Sequence, residues 1–362
     1  MPGLPESFNV AKRVGIFIYI AAKIGEADPI GQVFSKYKSD FASLKSELET
    51  YSETCLNRFA RKKLNSGLIS LEGATSFSKY VRMGHGLGFF DFNLKAGIIS
   101  PNWVTSIVGI LIKRIPREKL NEFKLPDTLK LLATYLLIKK DRDLVVPLVN
   151  ALKRIGPNCR TINTKSLQLE YAKNLESRYL QALNETTSQL ELGAYVKRLE
   201  FFRKNISLLE ENQSATSGLK HMIDPRVNWL LDLSLVDEEL LCNSGLVRPL
   251  DIWEHVDFAS LDFMQNDRFF KRYVDYINRR FPKRNELLLE SPNIRETVCD
   301  SVMLLKKEPK ETLMVEPVLL LSWLTTNASK EIYVPFSDIL QLIESDYMIY
   351  RRKMGGLGFI QV

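Results

Sequence analysis

The sequence predicts a mainly α-helical chain with small β-hairpins, divided among several domains. Apolar residues recur at helical spacing along most of its length. The β-prone segments are few and short, and each follows a glycine or small residue at a helix end. A length of 362 residues also exceeds what one core commonly serves, so two or three domains are expected.

Residues 8–24 place Val10, Val14, Phe17, Ile18 and Ala21 on one helical face. Asp28-Pro29 opens a shorter helix by the rule of a cap followed by proline. Residues 41–65 form a longer helix with Leu44, Leu48, Tyr51, Cys55 and Phe59 along its stripe. Its end is basic, and Leu68–Leu71 is a strand candidate. Phe77–Lys113 then reads as helix, glycine-broken junction (Gly84, Gly86, Gly88), two β-prone pieces (Phe89–Asn93 and Gly97–Ser100), and a second helix from Ser100-Pro101.

Residues 113–128 read as a connector, and Pro126-Asp127 opens the next helix. The intensely apolar stretch 129–155 is interrupted by Lys139–Asp143 and predicts a helical hairpin. Helices at about 165–184 and 189–210 follow, with Leu167, Leu175, Leu183, Leu192, Leu199 and Leu208 at a period of 3.6. No strand is expected in 120–210, and Glu210–Ser217 is polar enough to mark a boundary. These divisions give domains of 1–120, 121–212 and 213–362.

Beyond the boundary a helix ends at Trp229-Leu230-Leu231, and Leu233–Val236 and Leu246–Leu250 flank a turn at Asn243-Ser244-Gly245. A basic, aromatic-rich helix lies within 259–285, and Ser291-Pro292 opens another. Lys306–Thr312 is a charged turn and Val315–Thr325 a buried helix. The end reads as a helix, a turn near Ser345, a second helix ending in Arg351-Arg352-Lys353, and a terminal strand Leu357–Val362.

A helix end, a glycine or small residue, and a short β-prone segment recur together at Ser66-Gly67, Gly86–Phe89, Asp232–Val236 and Gly356–Ile360. Helix, small hairpin, helix is the layout of a winged-helix unit, in which the glycine lets the chain reverse tightly. Winged-helix-like modules are therefore expected near both ends. The glycines of 84–88 match neither G-x-x-x-x-G-K-[ST] nor a strand–GxGxxG–helix arrangement, so a phosphate loop is rejected.

Composition narrows the partners. An apolar fraction of 45% excludes wholesale disorder, and a net charge of +7 leans toward an anionic partner. Cys55, Cys159, Cys242 and Cys299 form no CxxC pair, so reduced, mostly buried thiols are expected in a cytoplasmic protein. Val14–Ala22 suits an amphipathic helix rather than a signal peptide, and no run approaches the roughly 20 apolar residues of a membrane span. Asn205-Ile206-Ser207 has no glycosylation meaning in that compartment.

The candidate contact residues are cations near helix ends and hairpins. They are Arg58, Arg61, Lys62 and Lys63; Lys79 and Arg82 before the clearest hairpin; Arg268, Lys271, Arg272, Arg279 and Arg280 on the aromatic-rich helix; and Arg351, Arg352 and Lys353. On that helix Phe269, Phe270, Tyr273 and Ile277 suit a core stripe, leaving the cations to hold phosphates. The same cations are also ordinary helix-dipole partners.

Catalytic chemistry is absent from the pattern. No two of His85, His221 and His255 stand at metal-ligand spacing, and His85 suits a tight turn. Glu308-Pro309-Lys310 and Glu122-Phe123-Lys124 carry the letters of a nuclease Glu-x-Lys without its strand. The expectation is a non-enzymatic protein without cofactor or metal, binding double-stranded DNA through basic helices and wings as a subunit of a larger complex. The rivals are a protein-interaction scaffold with a winged-helix docking or dimerisation module, compatible with a homo-oligomer, and a nuclease without a readable motif.

Overall fold

The computed structural model describes residues 14–26, 81–93, 98–115, 125–155, 164–186, 188–237, 248–249, 251–255, 266–280, 293–306, 312–329, 333–351 and 356–362. These residues are mainly helical, with a few small antiparallel strand pairs. The expected elements of 28–71 lie outside them. The chain divides into two compact units. One draws on Met1–Val14, Ser66–Leu87 and Leu137–Trp253, the other on Gly15–Asn65, Gly88–Leu136 and Glu254–Val362.

In the first unit, helix α4 (Lys165–Glu185) and helix α5 (Gln189–Glu210) pair as a hairpin across a very short polar connection. Thr164 caps α4 by accepting from the Leu167 N–H at 3.2 Å. Tyr179 meets Tyr195 and Phe202 at ring-centroid distances of 5.9 and 5.5 Å. Leu167, Leu175 and Leu199 are buried as the periodicity requires, whereas Leu192 is exposed. The turn into helix α6 (Ser217–Asp232) uses Asn212 at φ 60°, with the Gln213 N–H donating to the Leu208 carbonyl at 2.7 Å. The Asn205 side chain is buried there, accepting from the N–H of Thr216 at 2.9 Å.

Helix α3 (Asp127–Ile155) corrects the expected helical hairpin, because it runs unbroken through Lys139–Asp143 and through Pro147. Asp141 is buried rather than turned out into a loop. The Arg226 guanidinium of α6 grips its carboxylate with both arms, at 2.7 and 2.9 Å, and donates to the Met222 carbonyl at 2.8 Å. One turn end also differs. Leu233–Leu235 close the C-terminus of α6, with Ser234 at φ 54°, before strand β3 (Val236–Asp237) pairs with strand β4 (Arg248–Pro249). No strand lies within 120–210 among the described residues. His85 belongs to the helical residues 81–86, not to the turn that follows them.

The second unit contains all but the first residue of helix α1 (Val14–Glu26), with strand β1 (Asp91–Asn93), strand β2 (Ile98–Ser100) and helix α2 (Trp103–Arg114). The β1–β2 pair sets Phe92 opposite Ile99, close to the expected pieces. Asn102 caps α2, with Thr105 completing a reciprocal capping box. Gly88 precedes the hairpin at φ 84°, a left-handed conformation that costs glycine little.

The C-terminal part of this unit runs helix α7 (Asp267–Arg280), helix α8 (Ile294–Leu305), strand β5 (Thr312–Met314), helix α9 (Val315–Ser329), helix α10 (Phe336–Asp346), strand β6 (Ile349–Tyr350) and strand β7 (Phe359–Gln361). The sheet order is β5-β7-β6, all antiparallel. Its core is aromatic. Trp323 stacks on Phe336 at 4.3 Å, and Phe270 meets both rings edge-on at 5.3 and 5.7 Å. β5 was not expected. The second helix expected to end in Arg351–Lys353 is replaced by β6, because Ile349 and Tyr350 pair with Ile360 and Phe359.

Candidate interaction surface

α7 separates its residues as its sequence requires. Phe269, Phe270, Tyr273, Val274 and Ile277 are buried, while Arg268, Lys271 and Arg272 are exposed at the i, i+3, i+4 spacing of one face. The helix continues through Arg279 and Arg280. Its first residue, Asp267, ties the module together. Its carboxylate accepts from the Tyr333 hydroxyl at 2.7 Å and from the Phe336 N–H at 3.1 Å, capping α10, whose own cap residue Pro335 supplies no side-chain bond. Burial pushes the Asp267 carboxyl up, against the pull of those hydrogen bonds.

The exposed positions of α10 are Ser337, Asp338, Gln341, Glu344, Ser345 and Asp346. Three are carboxylates and none is a cation. Asp346 pairs with Arg295 of α8 at 2.9 Å, and Glu344 pairs with Arg351. Arg351 is therefore exposed just after β6 and already bound to a carboxylate. It does not lie on a recognition helix, and Ser345 belongs to the last turn of α10. Both corrections follow from the pairing of β6 with β7.

Strand register sorts the sheet into two faces. Leu313, Ile360 and Ile349 lie opposite one another across β5, β7 and β6, with Leu313 and Ile360 buried against the helices. Because side chains alternate along a strand, the next row, Met314, Phe359 and Tyr350, faces outward. Met314 is 40% and Tyr350 49% exposed, and Met348 before β6 is 69% exposed. α8 carries exposed side chains of its own. Cys299 is exposed, correcting the expected burial of the thiols at this position, and its side chain bonds to Tyr347. Burial and Cys299 push the Tyr347 phenol up. Met303 and Leu304 are exposed on the same helix.

Of the other candidates, Arg82 is exposed on the helical residues 81–86 of the first unit. Arg58, Arg61, Lys62, Lys63, Lys79, Arg352 and Lys353 lie outside the described residues, as do both Glu-x-Lys triplets. Among the described residues no three His, Cys, Asp or Glu side chains are grouped to hold a metal. No helix there is long and apolar enough to cross a membrane. The chain matches no family model, no curated protein and no solved structure.

The apolar row went unnoticed in the sequence because Leu313-Met314 and Met348-Ile349 read as uniformly apolar. Only pairing with β7 decides which residue of each couple faces out. The acidity of α10 was available in the letters: Phe336–Asp346 contains no Lys or Arg.

Proposed function

We propose that this chain is a non-enzymatic helical protein whose C-terminal module, 293–362, is a winged helix that docks on protein. The order helix, strand, helix, helix, strand, strand with a β5-β7-β6 sheet supports the winged-helix reading. The observation that carries the docking role is the outward row of Met314, Phe359 and Tyr350 with Met348 beside it. Exposed apolar clusters rimmed by polar groups mark contact surfaces, and methionine adapts readily to a partner. The carboxylates of α10 would repel phosphates where a DNA-reading helix needs cations.

The test uses the full chain with Met348→Asp and Tyr350→Asp, both at exposed positions, so that its melting temperature should match the wild type. In native cell extract the wild type should elute in an assembly larger than its own 41.6 kDa, and the variant should fall back toward that mass. Elution of both at the chain's own mass would overturn the reading.

A second reading is favoured by one observation, the exposed row Arg268, Lys271 and Arg272. Here α7 holds double-stranded DNA through phosphates. Affinity would then fall steeply with salt, and Lys271→Glu/Arg272→Glu would flatten that dependence. Anisotropy titrations at two salt concentrations decide it.

A further inference from the structure

The first unit buries a guanidinium whose donors its own chain does not use up. Arg226 of α6 is buried. Its Nε and one Nη donate to the two Asp141 oxygens at 2.7 and 2.9 Å, and its other Nη donates to the Met222 carbonyl at 2.8 Å. The Trp229 ring lies 5.7 Å from the guanidinium carbon and covers it from one side. A guanidinium carries five N–H donors, and these bonds take three of them. The other two, one on each Nη, have no acceptor among the described residues.

A further donor belongs to the same interior. The Tyr171 hydroxyl of α4 is buried without a hydrogen-bond partner. Arg226 and Asp141 both act on its phenol, and on that of Tyr179 one face along the same helix. Buried polar groups are nearly always hydrogen-bonded, so unused donors from two helices call for an acceptor between them. α5 sets the charge of that acceptor. Burial, and then the Arg226 charge, push the Arg198 guanidinium down, so two cations feel each other there. Both Asp141 oxygens are already held by Arg226. Arg198 is half-buried, which makes it the member of the group that meets solvent.

We propose that this interior binds a small oxyanion between α4, α5 and α6. Its oxygens accept from the two unused N–H groups of Arg226 and from the Tyr171 hydroxyl, while Arg198 supplies charge at the entrance. A water molecule would satisfy the donors but leave the two guanidiniums repelling each other, which an anion does not. The site is independent of the docking surface, which belongs to the other unit.

The experiment is calorimetric titration of the full-length protein with inorganic phosphate, and separately with acetate, at an ionic strength held constant with chloride. At least one of the two should saturate a single site with a dissociation constant of about 10 mM or tighter. Tyr171→Phe keeps the ring and removes only the hydroxyl, and Arg198→Gln removes a half-buried charge. Each should weaken that binding about tenfold or more. Lys197→Gln, which removes an exposed cation next to Arg198, should leave it unchanged. Thermal melts without either anion check that all three variants remain folded. The inference is overturned if neither anion saturates, if Tyr171→Phe or Arg198→Gln binds like the wild type, or if Lys197→Gln weakens binding as much as they do.

Discussion

Asp141 and Arg226 are buried between helices of one unit, whereas Met348 and Tyr350 stand in solvent on the sheet of the other. Each pair reverses the usual sorting of charge outward and apolar surface inward. The physical settings differ. A buried charge is tolerated only if another charge and further hydrogen bonds meet it, and Arg226 supplies both to Asp141. An exposed methionine or tyrosine needs no such partner, because leaving it in water removes a gain without adding a large penalty. The first pair is therefore bound to its fold, and the second is free to serve something else. The two regions should respond to substitution in opposite ways.

The sharpest break of that contrast is Arg226→Met. It leaves the buried Asp141 carboxylate without its partner, and urea unfolding should show a loss of about 3–5 kcal/mol, a large part of the stability of an ordinary domain. Adding Asp141→Leu should recover most of it, since an apolar pair of similar volume has no charge to desolvate. A double variant as unstable as the single would mean that the site depends on the pair itself. The pH dependence has a definite sign. Burial pushes the Asp141 carboxyl up, against the Arg226 guanidinium, so the folded state holds this proton more tightly than the unfolded state. The stability that follows is present at low pH and is lost as pH rises through the folded value. Removing Arg226 strengthens the upward shift, so the penalty of Arg226→Met should be smaller in acid than at neutral pH.

The same ion pair explains where sequence reasoning stopped. α4 and α5 were legible almost to the residue, because buried leucines recur within each helix and a polar connection separates them. The charged run Lys139–Asp143 suggested a break because its neutralising partner, Arg226, lies 85 residues further along the chain. The C-terminal sheet was hidden for the same reason. β5 is stabilised by β7, with Thr312 opposite Gln361, and nothing local distinguishes Thr312–Met314 from the charged turn before it. The cations of α7 were legible from spacing, since one helix face is a local property. The outward row of the sheet was not, because it exists only once three separated segments are in register.

A second pair of substitutions compares two glycines, one from each unit. Gly358 lies at φ +97°, and a Cβ there would come within 2.7 Å of the Tyr350 carbonyl oxygen. It is the residue that lets β7 approach β6. Gly358→Ala should destabilise the chain by about 1–3 kcal/mol, or displace the β6–β7 pairing and with it the row that carries the proposed docking. Gly193 lies in helix α5 with nothing within 4 Å of an added Cβ. Gly193→Ala should stabilise by about 0.5–1 kcal/mol, because alanine loses less backbone freedom on entering a helix. Thermal melts of the two variants should shift in opposite directions.

Two buried phenols, one from each unit, differ in whether the hydroxyl has a partner. In the second unit the Tyr333 hydroxyl donates to Asp267 at 2.7 Å, beside the N–H that caps α10. In the first unit the Tyr171 hydroxyl is buried with no hydrogen-bond partner among the described residues. Tyr333→Phe should therefore cost about 1.5–3 kcal/mol, the worth of a hydrogen bond to a charged acceptor. Tyr171→Phe should change stability by less than about 0.5 kcal/mol, since the ring stays and only an unsatisfied group leaves. Alkaline titration checks the same point. Burial pushes the phenols of Tyr171 and Tyr333 up, and that of Tyr179 up to about 12. Each folded phenol then keeps its proton after its unfolded counterpart has lost it, so the contribution to stability is complete below the ordinary phenol range and lost as pH rises through the folded value. Absorbance at the tyrosinate band should accordingly rise in two steps, with the buried phenols ionising only as the chain unfolds. In Tyr171→Phe the second step should shrink and its midpoint move to higher pH, because one phenol whose ionisation favours the unfolded chain has gone. In Tyr333→Phe the midpoint should lie below that of Tyr171→Phe, because the bond that holds α10 to α7 has gone as well.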